Sequence, residues 1–201
     1  MKYPDTITEV ASLQPDYLGF IFYEKSVRYF TGILPEIPNT IQKVGVFVDA
    51  DLDTILEQIT LHQLDVIQLH GQESAAFCKA LKAASKVKLI KVFSILDRFD
   101  FGLLAPYEGL VDYFLFDTKG QLPGGNGVTF NWTVLQQYPS ETPYFLSGGI
   151  GPEHLEQLRA FAESPASKQC HALDVNSKFE LEPGLKDPQR LSTFINTIRS
   201  F

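Results

Sequence analysis

Three short stretches carry residue types that could do chemistry. The first is Phe116-Asp117-Thr118-Lys119, followed by Gly124-Gly125-Asn126-Gly127. Asp117 closes an apolar run, so it falls at the carboxyl end of a candidate strand. A carboxyl group there can act as a general acid if its surroundings favour the protonated form. It can equally cap a turn in the following loop. The second stretch is Ser147-Gly148-Gly149-Ile150-Gly151-Pro152. Glycines after a strand expose backbone N–H groups, and a helix behind them adds the positive end of its dipole, which suits a phosphate. The plainer reading is a tight turn that needs positive φ. The third is Asp174-Val175-Asn176-Ser177-Lys178 after the last apolar run, where Ser177 offers a hydroxyl and Lys178 a charge. Asn-Ser is also ordinary turn chemistry.

Two further positions join these. Arg28, in Lys25-Ser26-Val27-Arg28-Tyr29, could grip a carboxylate with two parallel hydrogen bonds or be a solvated surface arginine. Gln68 and His70 alternate at the end of Val66-Ile67-Gln68-Leu69-His70-Gly71 and can share a face. A histidine there serves as base, substrate contact or structural side chain.

The elements that must position these residues alternate between strand and helix. Apolar runs at 17–22, 43–48, 66–69, 88–93, 113–116, 144–146 and 172–175 are mostly continuous, as in parallel strands buried on both faces. Helical stripes lie between them at Leu52, Ile55, Leu56 and Ile59, and at Ala76, Phe77, Ala80 and Leu81. Pro152 stands like a first helical residue, and Asp187-Pro188 opens a last helix along Leu191, Phe194, Ile195 and Ile198. Thr6 and Glu9 form a capping-box pattern, which predicts a helix over 6–13 ahead of the first strand. Seven strands fit an open doubly wound sheet or a barrel that lacks one strand. In barrels, catalytic residues come from the carboxyl ends of strands, and phosphate commonly sits between the last two βα loops. Residues 1–201 are expected to form one domain.

Composition excludes several classes. Charged residues make up 20% and the formal net charge is -7. That balance, without a basic run, argues against nucleic acid or an anionic membrane as partner. Two cysteines, Cys78 and Cys170, make no disulfide scaffold, and no Cys/His cluster has metal-ligand spacing. No apolar run approaches a membrane span and no leader pattern is evident, so a reduced cytoplasmic protein is expected.

Taken in order, these pieces resemble phosphoribosylanthranilate isomerases, from about Thr6 to the C-terminus. The resemblance rests on Leu18-Gly19-Phe20-Ile21-Phe22-Tyr23, the Arg28 segment, Val44-Gly45-Val46-Phe47-Val48, Gln68-Leu69-His70-Gly71, Phe116-Asp117-Thr118-Lys119, Leu146-Ser147-Gly148-Gly149, Asp174-Val175 and Pro183-Gly184-Leu185-Lys186-Asp187. It implies an α/β fold of the TIM (βα)8-barrel type and an Amadori rearrangement in tryptophan biosynthesis. N-(5'-phosphoribosyl)anthranilate becomes 1-(2-carboxyphenylamino)-1-deoxyribulose 5-phosphate, with no metal or organic cofactor. By position Asp117 matches the general acid. Arg28 matches the grip on the anthranilate carboxylate, His70 a substrate contact, and Gly148, Gly149, Asn176 and Ser177 the phosphate grip.

The resemblance places the general base on a cysteine in a Lys-x-Cys-Gly motif ending the first strand, which would precede Met1. Neither Cys78 nor Cys170 matches it. The chain as written is therefore expected to lack the first strand and to have little activity, with a non-catalytic barrel that binds a phosphorylated ligand as the alternative. Smaller departures are Val27 for a proline, Val128 and Asn131 for lysine and aspartate, and Asn176 and Lys178 for serine and glycine. An indole-glycerol-phosphate synthase or a pentose-phosphate epimerase fits less well, because the synthase lysines and an epimerase metal set are missing. The expected partner is a phosphorylated small molecule, with the chain a monomer or homodimer.

Overall fold

The computed structural model describes residues 1–118 and 130–201. Lys119 and the Gly124–127 loop lie outside the described residues. The chain opens with α1 (Pro4–Ser12), then β1 (Tyr17–Ile21), β2 (Gln42–Phe47), α2 (Leu52–His62), β3 (Val66–Leu69), α3 (Ala75–Ala84) and β4 (Lys88–Ile95). There follow β5 (Tyr113–Thr118), β6 (Tyr144–Leu146), α4 (Leu155–Ala162), β7 (Cys170–Leu173), a hairpin of β8 (Glu180–Glu182) with β9 (Leu185–Lys186), and α5 (Pro188–Ile198).

Local chemistry sets the helix starts. Asp51 and Ser74 cap α2 and α3, each accepting a hydrogen bond from the N–H three residues on. Asp187 does the same for α5, with Pro188 as its first helical residue. The capping box expected at Thr6 is not formed. Pro4 starts α1 instead, because its fixed φ suits the first helical position, and Thr6 is buried inside the helix. Pro152 opens a short 3-10 turn (Pro152–His154) that leads into α4. Other crossovers use 3-10 segments at Phe101–Tyr107, interrupted by Pro106, and at Trp132–Gln137, both too short to carry a helical stripe.

The seven long strands form one sheet in sequence order, β1 through β7, and every neighbouring pair is parallel. A doubly wound sheet reverses its strand order part-way. A singly wound sheet keeps one direction and curls, which is barrel architecture. Side-chain alternation confirms the curl. Val44, Val46, Val66, Ile90, Val92, Tyr113, Leu115 and Phe145 pack into one inner cluster. Their neighbours, including Phe47, Ile67, Leu69, Phe114 and Phe116, belong to the larger cluster under the helices.

β1 and β7 are not paired with each other. Side chains near their starts still meet: Tyr17 Oη lies 2.8 Å from His171 Nε2, and the two rings contact edge-on. Gln42 N–H donates to Asp16 O, and Phe22 N–H to Val46 O, so even-numbered residues bond toward β2. Gly19, being odd, aims its carbonyl at the open edge, where the Met1 amino group donates to it at 2.7 Å. The fold is thus a TIM-type barrel with seven strands among the described residues and a seam between β1 and β7.

Candidate active site

Strand alternation decides which polar residues face the interior. On β5 the inner positions are Tyr113, Leu115 and then Asp117; on β3 they are Val66, Gln68 and then His70. The same count puts Ser147 after Phe145 and Asp174 after Ala172. All these polar groups lie at the carboxyl ends of their strands and form a ring at one mouth. His70 Nε2 is 3.6 Å from Asp117 Oδ2, and His70 Nδ1 is 3.2 Å from the Gln68 amide, which fixes the imidazole plane. Ser147 Oγ donates to Asp174 Oδ2 at 2.9 Å. Burial pushes the Asp174 carboxyl up; the Ser147 bond opposes this and the nearby Asp117 charge adds to it.

Gly148 and Gly149 have φ of +94° and +66°, so the turn after β6 uses the left-handed region twice. A Cβ on Gly148 would stand 2.6 Å from the Thr118 backbone nitrogen, so glycine is required there by close approach as well as by φ. Two residues beyond Gly149, Gly151 N–H donates to His154 Nδ1. Across the mouth, Asn176 precedes a 3-10 turn, Ser177–Phe179. Its backbone and side-chain oxygens both accept from Lys186 Nζ. Lys178 is drawn to Glu153 at 2.6 Å. The two expected phosphate loops therefore flank the same mouth, tied to each other by the Lys178–Glu153 ion pair.

Arg28 is delivered by the loop after β1. Ser26 Oγ accepts from Arg28 N–H, and Phe30 N–H donates back to Ile21 O, folding the loop over the strand end. The guanidinium is engaged with Glu180: Nε donates to both carboxylate oxygens at 3.0 and 2.9 Å, and Nη2 to Oε2 at 2.7 Å. Glu180 also accepts from Gly184 N–H at 3.1 Å and Lys186 Nζ at 2.9 Å. Burial would raise the Glu180 carboxyl, but the bonds and charges of Arg28 and Lys186 outweigh it and hold it at about 2.

Neither cysteine reaches this mouth. Cys78 is buried in α3, and Cys170 begins β7, at the opposite end of the barrel. Burial pushes both thiols up, Cys170 to about 12, so neither is a ready thiolate. Among the described residues no group of three or more His, Cys, Asp or Glu side chains is placed to hold a metal ion. Glu180 and Lys186 were not singled out from sequence. Their signal is the Pro183-Gly184 turn, which returns the hairpin and brings both charges beside Arg28.

A family model described as N-(5'phosphoribosyl)anthranilate (PRA) isomerase matches residues 2–197. The chain belongs to this isomerase family. It is 43% identical to the N-(5'-phosphoribosyl)anthranilate isomerase of Parabacteroides distasonis, over 98% of this chain and 90% of that one. The corresponding protein of Phocaeicola vulgatus is 41% identical over 99% and 95% of the two chains. Among solved structures, a phosphoribosyl anthranilate isomerase in complex with reduced 1-(o-carboxyphenylamino)-1-deoxyribulose 5-phosphate superposes with a TM-score of 0.77 at 25% identity. That match covers 100% of this chain and 96% of the other. Its function is accordingly the isomerase step of tryptophan biosynthesis that the sequence resemblance implied.

Proposed function

We propose that the Asp117 mouth carries out this Amadori rearrangement, with Asp117 as general acid. The carrying observation is the placement of its carboxylate: on the inner face, at the carboxyl end of β5, 3.6 Å from His70 and beside the Gly148 turn that packs on Thr118. In the first step Asp117 gives its proton to the furanose ring oxygen. The C1′–O bond breaks, and the anilino nitrogen lone pair forms the C=N bond of a Schiff base. A base then removes the C2′ proton, giving an enolamine that tautomerises to the ketone. His70, held by Gln68, is a substrate contact at the acid. Gly148, Gly149, Asn176 and Ser177 receive the phosphate, which supports anion binding through N–H groups rather than through a cluster of cations. Arg28 holds the anthranilate carboxylate at the other end of the substrate.

The base belongs to the family's Lys-x-Cys-Gly motif, and the seam between β1 and β7 is the position that motif's strand would fill. The substrate analogue bound by the solved relative carries both a carboxylate and a phosphate, as this two-ended reading requires. We further assign the protein to the cytoplasm, as one domain over 1–201, monomeric or homodimeric, with no nucleic acid or membrane partner. The net charge of -7 argues against a nucleic-acid or anionic-membrane partner, and no helix among the described residues is long and apolar enough to cross a membrane. The test is Asp117→Asn in a chain that carries the motif. Turnover should fall by about a thousandfold or more, with an unchanged melting transition, in keeping with loss of a general acid. Retention of most activity rejects the assignment.

A further inference from the structure

We propose that Glu180 is a positioning residue that sets Arg28 for recognition of the substrate carboxylate. The inference rests on the reading of Arg28 as that grip.

A guanidinium offers five N–H groups in a rigid plane, and a carboxylate takes one edge of it. Glu180 takes the edge formed by Nε and Nη2. Among the described residues Nη1 has no recorded partner, so the Nη1/Nη2 edge remains available as a second two-pronged donor. The arginine can therefore hold two carboxylates at once, one from the protein and one from the ligand. The protein's own carboxylate is the more buried partner, with side-chain exposure of 4% against 15% for Arg28. It fixes the plane in which the outer edge is presented. Lys186 completes the balance: two cations share one carboxylate, leaving a single net positive charge to meet an anion.

The same carboxylate reaches toward the phosphate side. Lys186 bridges Glu180 to the Asn176 carbonyl at 3.0 Å. The two carboxylate oxygens divide the work. Oε1 serves Gly184 N–H, Lys186 and Arg28 Nε at 3.0 Å, while Oε2 serves Arg28 alone at 2.9 and 2.7 Å. Glu180→Gln can keep its amide oxygen on the Gly184 and Lys186 side. Its NH2 group then faces the Arg28 donors, and the guanidinium must turn away.

The test is calorimetric binding of two ligands to the 201-residue chain. One is 1-(2-carboxyphenylamino)-1-deoxyribulose 5-phosphate and the other is the same molecule without its carboxyl group. R28A, E180Q and the double variant are compared with the unaltered chain, with a melting curve for each. R28A should weaken the carboxylated ligand by about tenfold or more and the other by less than about threefold. E180Q should show the same selectivity, and the double variant should be no worse than R28A. If R28A is selective but E180Q weakens both ligands equally, or neither, Glu180 serves structure only and the proposal fails while the Arg28 reading stands. If R28A itself is not selective, the Arg28 reading fails and takes the proposal with it. Should E180Q not fold, Glu180→Asp carries the same comparison, since it keeps the charge and withdraws both oxygens from the arginine.

Discussion

Asp117, on β5, and Asp174, just after β7, stand at the same mouth with both side chains on the inner face, and they differ in what surrounds them. Burial raises the Asp174 carboxyl above its ordinary value of 3.8. Its folded form therefore favours the proton. The stability this contributes is full below about 3.8 and is lost as pH rises through the raised value. D174N should then stabilise the fold at pH 7 by on the order of 1 kcal/mol and make no difference near pH 3, where the native side chain is already neutral. Urea unfolding at the two pH values measures this, and a stabilisation equal at both would contradict it. At this scale the sequence was informative where chemistry coincides with a strand end: Asp117, His70 and the Gly148 turn all follow apolar runs. Glu180 was not legible, because its partner Arg28 lies 152 residues away and its own segment reads as a polar loop.

The mouth is braced from outside by a buried ion pair on neighbouring elements. Lys91 is at an outward position of β4, between inward Ile90 and Val92. Its Nζ donates to Leu69 O at 3.3 Å, Gly71 O at 2.8 Å and Glu73 Oε2 at 3.0 Å. Glu73 in turn accepts from Asp49 N–H and Gly71 N–H. This clamp joins the ends of β2 and β3 to the middle of β4. E73Q leaves an ammonium with 4% exposure facing a neutral amide, and should cost about 3 kcal/mol. Adding K91M should recover part of that loss, because the stranded charge is removed. Simple additivity in denaturant unfolding would show that the two side chains do not act as a pair. Strands and capped helices were readable from apolar runs and from Asp51, Ser74 and Asp187. The β8–β9 hairpin was not, since Leu181 and Glu182 are exposed and supply no apolar period. β7 begins two residues before its apolar run because Cys170 pairs with Tyr144 of β6, while His171 stands exposed beside Tyr17 and adds no apolar signal.

For the whole molecule, periodicity alone left barrel and open sheet undecided, because strands buried on both faces look alike in either. Strand order decided it, and that order is a property of pairing rather than of any one segment. The barrel mouth then gathers, from separate strand ends, the residues we propose as acid, carboxylate grip and anion loops. What the family chemistry asks for beyond these is a thiolate base on a strand between β1 and β7. β1 and β7 do not pair with each other across that seam, and an open sheet edge costs stability and invites self-association. The direct test compares three chains in an isomerase assay: the 201 residues as written, and the same chain preceded by a strand of roughly eight residues ending in either Cys-Gly or Ser-Gly. The Cys-extended chain should turn over substrate, while the Ser-extended chain should melt at the same raised temperature with little activity, because a hydroxyl is a far weaker base than a thiolate. The chain as written should have a lower melting temperature and little turnover. Equal turnover by the chain as written and the Cys-extended chain would contradict the assignment of the base to that strand.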